Sequence, residues 1–174
     1  MVTIPSLETS SFVFAINPIT PTIVNVDSAL VAVSGDTSAV SVGTHTIVCS
    51  LRDKANYRWT DGTSGDKTLT WSITKYAVKI PGLYPTTFVY DGTGQIPSYY
   101  NIENDFVDAP AISSNIKDVG TYTVSCSLIY PNDTEWTDGT TADKILTWSI
   151  TKASVEIPSL SPAMFVYSGE VQQP

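Results

Sequence analysis

Hydrophobic and polar residues alternate along much of this chain. Tyr122, Val124, Cys126 and Leu128 fall in one phase, and Thr121, Thr123, Ser125 and Ser127 in the other. Leu146, Trp148 and Ile150 stand in the same relation to Thr147, Ser149 and Thr151. A period of two, with β-branched residues on the polar side, predicts strands buried on one face in twisted antiparallel sheets. No stretch carries a helical period. Eleven prolines and ten glycines punctuate the strands, which is the pattern of an all-β sandwich.

The strand pattern also repeats. Val42-Gly43-Thr44-His45-Thr46-Ile47-Val48-Cys49-Ser50-Leu51 returns as Val119-Gly120-Thr121-Tyr122-Thr123-Val124-Ser125-Cys126-Ser127-Leu128. Trp59-Thr60-Asp61-Gly62-Thr63 returns at 136–140, and Leu69-Thr70-Trp71-Ser72-Ile73-Thr74-Lys75 at 146–152, each 77 residues later. Ile4-Pro5-Ser6-Leu7, Ile80-Pro81-Gly82-Leu83 and Ile157-Pro158-Ser159-Leu160 each precede an aromatic strand. This frame predicts one domain over residues 1–76, a second over 77–153, and the leading strands of an incomplete third repeat over 154–174. The joints at residues 74–77 and 151–154 leave almost no linker, so a stiff rod is expected. Two strands alone make no stable sheet. The tail is therefore expected either to pair with another chain or to open a longer parent, and the second is preferred.

Composition narrows the functions. A net charge of −8 argues against nucleic acid as a partner. No run is long enough to span a bilayer, and Met1-Val2-Thr3-Ile4-Pro5 has no signal-peptide character. Cys49 and Cys126 occupy one position of successive repeats, too far apart for a disulfide, and read as small buried thiols.

Asp118-Val119-Gly120-Thr121-Tyr122 resembles the run that opens strand F of immunoglobulin domains, where a tyrosine corner closes the strand. In the first repeat Ser41 and His45 replace Asp118 and Tyr122, so its corner is expected to be weakened or absent. The set Phe-Val-Tyr-Asp-Gly (88–92), Val-Gly-Thr-Tyr-Thr (119–123), Trp-Thr-Asp-Gly-Thr-Thr (136–141) and Leu-Thr-Trp-Ser-Ile-Thr-Lys-Ala (146–153) resembles bacterial Ig-like repeats. These occur in surface proteins of Gram-positive bacteria and in tail or fibre proteins of their phages. The resemblance implies tandem Ig-like antiparallel β-sandwiches.

The candidate chemistry is sparse. Trp71 and Trp148 fall in the inward phase and read as core. Trp59 and Trp136 precede an Asp-Gly turn and are the tryptophans placed to meet a ligand. Arg52–Arg58 and Ile129–Glu135 occupy equivalent positions with net charges of +2 and −2, and Gln95–Asn104 also differs from its counterpart. Tyr57, Tyr130, Tyr99 and Tyr100 lie in these divergent segments and complete the candidate ligand-contact set. Asp61, Asp66, Asp138 and Asp143 lack the spacing of a calcium loop. No catalytic triad, zinc cluster or phosphate loop can be assembled. No catalytic residue, metal or cofactor is expected.

The expectation is a non-catalytic structural or adhesive segment of a phage virion protein (tail, fibre or capsid-decorating) or of a bacterial surface protein. It would lie on a virion or cell surface, with protein subunits and surface glycans as partners. The alternatives are a carbohydrate-binding module of a secreted enzyme, with an exposed aromatic strip, and an assembling subunit whose C-terminal strands pair with a neighbour.

Overall fold

The long alternating segments become the longest strands of the protein. The computed structural model describes residues 1–159, 164 and 166–173, and every regular element among them is a strand. The first unit holds β1 (Ser6–Leu7), β2 (Ser11–Val13), β3 (Ile23–Val24), β4 (Val31–Gly35), β5 (Gly43–Leu51) and β6 (Lys67–Thr74). The second holds β7 (Tyr76–Val78), β8 (Gly82–Tyr84), β9 (Thr87–Val89), β10 (Ser98–Tyr100), β11 (Val107–Asp108), β12 (Gly120–Leu128), β13 (Thr134–Trp136) and β14 (Lys144–Thr151).

Each unit has one four-stranded sheet. Its order is β2-β6-β5-β4 in the first unit and β9-β14-β12-β11 in the second, so the strands correspond one to one. The small pairs β1-β3 and β8-β10 correspond likewise, with Ser6 opposite Val24 and Gly82 opposite Tyr100. Within the long strands the predicted phase holds. On β12, Thr121, Thr123 and Ser125 are exposed, while Cys126 and Leu128 are buried. Trp71, Ile73, Trp148 and Ile150 are core residues. Cys49 and Cys126 are buried and unpaired with one another.

Three features depart from expectation. First, the sheets are not purely antiparallel. Strands β2 and β9 run parallel to β6 and β14, and β7 runs parallel to β13. The opening strand pairs with the strand that closes its unit, and almost the whole unit serves as the crossover that parallel pairing requires. Second, β4 spans five residues but β11 only two. Pro110 follows closely and can donate no ladder hydrogen bond. The loop beyond it is one residue longer than its counterpart, because the offset is 76 residues from Val31 to Val107 but 77 from Gly43 to Gly120. Trp71 donates its indole N–H to Asp36 at 2.9 Å, whereas the buried Trp148 Nε1 has no partner among the described residues. Third, residues 152–159, 164 and 166–173 form no strand and are exposed. The expected leading strands of a third repeat are not formed at these residues. Leu160–Ala163, Phe165 and Pro174 lie outside the described residues.

The corner of the first unit is present after all. Tyr122 donates its hydroxyl to Asp118 O at 2.7 Å, and His45 Nε2 reaches Ser41 O at 3.0 Å over the same four-residue span. A carbonyl only accepts, so the imidazole carries its proton on Nε2. Each ring also packs on the neighbouring tryptophan: His45 lies 4.7 Å from Trp71, and Tyr122 is stacked 5.6 Å from Trp148. Histidine thus replaces tyrosine in the bond as well as in the packing. Substituting Tyr122→Phe removes one such hydrogen bond and keeps the ring. It is expected to destabilise the second unit by about 1 kcal/mol in urea denaturation, with little effect on the first.

Candidate functional site

The two tryptophan turns are built alike and are closed. Trp59 N bonds Thr63 O, Gly62 N bonds Trp59 O, and the indole N–H donates to Gly65 O at 2.6 Å. Trp136 makes the same set with Thr140, Gly139 and Ala142. Gly62 and Gly139 have φ of 82° and 79°, the left-handed region that Asp-Gly turns supply at low cost. Trp59 and Trp136 are fully buried. Neither indole keeps a face for a ligand, which corrects their place in the candidate set: an indole over the open end of a small core buries more apolar surface than any other side chain there.

The aspartates of these turns are also occupied. Asp61 Oδ1 accepts from Thr63 N and Oγ1, and Oδ2 pairs with Lys67 Nζ at 2.6 Å. Asp138 repeats the arrangement with Thr140 and Lys144. The lysine first, and then the threonine, holds each carboxyl down to about 2. A cation is already seated where calcium would sit. No group of three or more His, Cys, Asp or Glu that could hold a metal occurs among the described residues.

The divergent segment at 129–135 turns out to face the other unit. Asp133 Oδ1 accepts from Val42 N at 2.7 Å, and its carbonyl accepts from Tyr76 N. Tyr130 lies 5.7 Å from Phe14, and Phe106 packs on both Phe14 and Tyr76. Tyr76 then donates its hydroxyl to Glu103 at 2.9 Å, and Lys79 N donates to the other oxygen of that carboxylate. Tyr76 and Phe106 touch the apolar clusters of both units, so the two cores are continuous. Lys75 alone separates β6 from β7. Tyr130 is therefore a junction residue, and its divergence from Asp53 is what equips the second unit to dock on the first.

The remaining tyrosines are scattered. Tyr99 is half-buried and donates to Pro110 O at 2.8 Å; burial, with Cys126 beside it, pushes its phenol up to about 12. Tyr57 is partly exposed on the first unit, next to Arg58. Tyr100 (52% exposed) and Tyr84 (75% exposed) share the outer face of the β8-β10 pair. The Tyr100 ring lies against Gly82, where a Cβ would collide with it. Tyr84 was missed by sequence reasoning; the β8-β10 register sets it opposite Ser98, on the same face as Tyr100.

The end of the first unit away from the second shows what the junction covers. Met1, Val2, Val26, Asp27 and Leu30 line an open depression of about 440 Å³. In the frame of the second unit, Asp27 corresponds to Glu103 and Leu30 to Phe106, so this depression is the counterpart of the seat that Tyr76 fills. At the other end, Tyr90 is 43% exposed while its counterpart Phe14, under the second unit, is 4% exposed.

No family model matches the chain, and no curated protein is detectably similar to it. Function is therefore argued from geometry alone. One consequence concerns the paired turns. A free aspartate titrates near ~3.9, and a folded value depressed to about 2 favours the folded state at every pH above the unfolded value. That contribution is expected to fade as pH falls from about 4 towards 2. NMR titration of the side-chain carboxyls should give midpoints near 2 for Asp61 and Asp138; midpoints near the free value would mean that the lysine clamp is open.

Proposed function

We propose that this chain is a non-catalytic structural or adhesive segment, made of tandem Ig-like β-sandwiches, from a virion protein or a bacterial surface protein. It works as a stiff spacer or display rod whose neighbours are other protein subunits. The observation that carries this reading is the junction: one linker residue, a shared aromatic cluster and a direct hydrogen bond from Val42 to Asp133. A loosely tethered pair of domains has no need of any of these. The ionisable groups that chemistry would use are engaged in turns and caps: His45 in a corner, Asp61 and Asp138 under lysines, Glu103 under Tyr76.

Stiffness is the property to measure. Small-angle scattering of the chain is expected to fit a single arrangement of the two units. Tyr130→Ala removes the ring packed on Phe14 while leaving the core cluster of its own unit intact, and should broaden the distribution of inter-unit distances. If the unmodified chain scatters as a broad ensemble, the spacer reading fails.

A glycan-binding reading keeps one specific support, the exposed Tyr84 and Tyr100 on one sheet face. An exposed aromatic ring offers an apolar face on which a sugar ring can stack. A glycan array would decide: binding reduced tenfold or more by Tyr84→Ala supports it, and no binding by the unmodified chain removes it.

A further inference from the structure

Residues 155–160, Val-Glu-Ile-Pro-Ser-Leu, repeat residues 2–7, Val-Thr-Ile-Pro-Ser-Leu, with one difference. The match continues at the same spacing, with Phe12-Val13-Phe14 answered by Phe165-Val166-Tyr167. With Val78-Lys79-Ile80-Pro81-Gly82-Leu83, the chain thus carries three versions of one opening strand, of which the first and the last are the most alike. The first is in place: Val2 N donates to Arg58 O, Val2 O accepts from Thr60 N, and Val2 and Pro5 are buried. In the last, the described residues 155–159 form no strand. Val155 is 88% exposed and Ile157 91%, against 5% for Val2.

The installed strand makes few backbone pairs, and Phe14 at its end is buried in the junction with the second unit. It is secured by the parallel bridge to Trp59, the two-residue pair β1-β3 and the three-residue pair β2-β6. None of the three is closed by a tight hairpin. Such a segment can leave while β4, β5 and β6 remain paired.

We propose that residues 155–167 of one copy replace residues 2–14 in the first unit of a second copy, joining chains head to tail by strand exchange. The exchanged strand then runs on from β14 of the first copy, as β7 runs on from β6 within one chain. The acceptor's first unit comes to rest on the donor's second unit, over Tyr90 and Val119. These two residues are 43% and 46% exposed, and they occupy the positions of Phe14 and Val42, which the internal junction covers. Asn56 stands where Asp133 stands in that junction and offers a side-chain oxygen to Val119 N. Leu30 replaces Phe106, and Asp53 replaces Tyr130, so the new junction keeps its frame with fewer aromatic contacts.

The energetics follow. Exchanging Val2, Ile4 and Phe14 for Val155, Ile157 and Tyr167 exposes about as much apolar surface as it buries, so the swap itself is near neutral. The driving term is the newly covered junction. The interface is heterologous, because it joins two different faces of the chain, and it grows open-ended assemblies unless the rotation closes a ring. This inference goes beyond the spacer reading, and either can fail without the other: stiffness is a property of one chain, exchange of two.

The test is refolding of the full chain from urea over a range of protein concentrations, with molar mass read by light scattering. Dimers and longer species are expected to rise with concentration. The double variant V155D/I157D changes residues that are exposed in the monomer, so it should keep the unmodified melting temperature and stay monomeric. Hydrogen exchange on the isolated oligomers then separates exchange from simple edge addition. In a dimer, at least half of the Val2 and Phe14 amides should lose protection while Thr60 keeps its own. An unmodified chain that stays monomeric at millimolar concentration overturns the proposal. So do oligomers that persist in the double variant, and oligomers whose residues 2–14 all stay protected.

Discussion

Each unit is organised around a buried indole that ties the start of the chain segment to its far end. Trp59 and Trp136 close their own turns through the indole N–H and, through the backbone on either side, receive the opening strand at Val2 or Val78. Without that parallel contact the opening strand would have only short pairs to hold it, and the core would be open at one end. Domains of fewer than about 80 residues have little apolar surface to spare. A single large side chain that seals the core and also fixes strand order is an economical solution, and both units use it.

The junction follows from the same geometry. The strand received by Trp136 begins one residue after β6 ends, so the second unit has no freedom to swing before it meets the first. Phe14, Tyr76, Phe106 and Tyr130 then fill the space between them. The polar groups are paired as well: Asp133 serves Val42 and Tyr76, and Glu103 serves Tyr76 and Lys79. An interface with an apolar centre and satisfied hydrogen bonds holds two units in one arrangement better than a purely polar contact of equal area.

Much of the fold was legible in the sequence because alternation and repetition are local signals. The phases of β5, β6, β12 and β14, the buried Trp71 and Trp148, the buried thiols and the Asp-Gly turns all follow from residues within a few positions of one another. What escaped depends on distant partners. Parallel pairing of β2 with β6 leaves no mark on either segment. His45 looked like a loss because its replacement of Tyr122 changes the ring while keeping the acceptor four residues back. Tyr130 and Asp133 resembled a variable loop because divergence alone does not distinguish a surface that meets an unknown partner from one that meets the neighbouring unit. Tyr84 was invisible until the strand register set it on one face with Tyr100.

The two thiols have a use that nothing above requires of them. Cys49 and Cys126 sit at matched depths on β5 and β12, fully buried, and burial holds both in the unreactive protonated form. A reagent in solution reaches either one only when its own unit opens. The chain therefore carries one concealed chemical reporter per unit, so that labelling under load would record which of the two yields first.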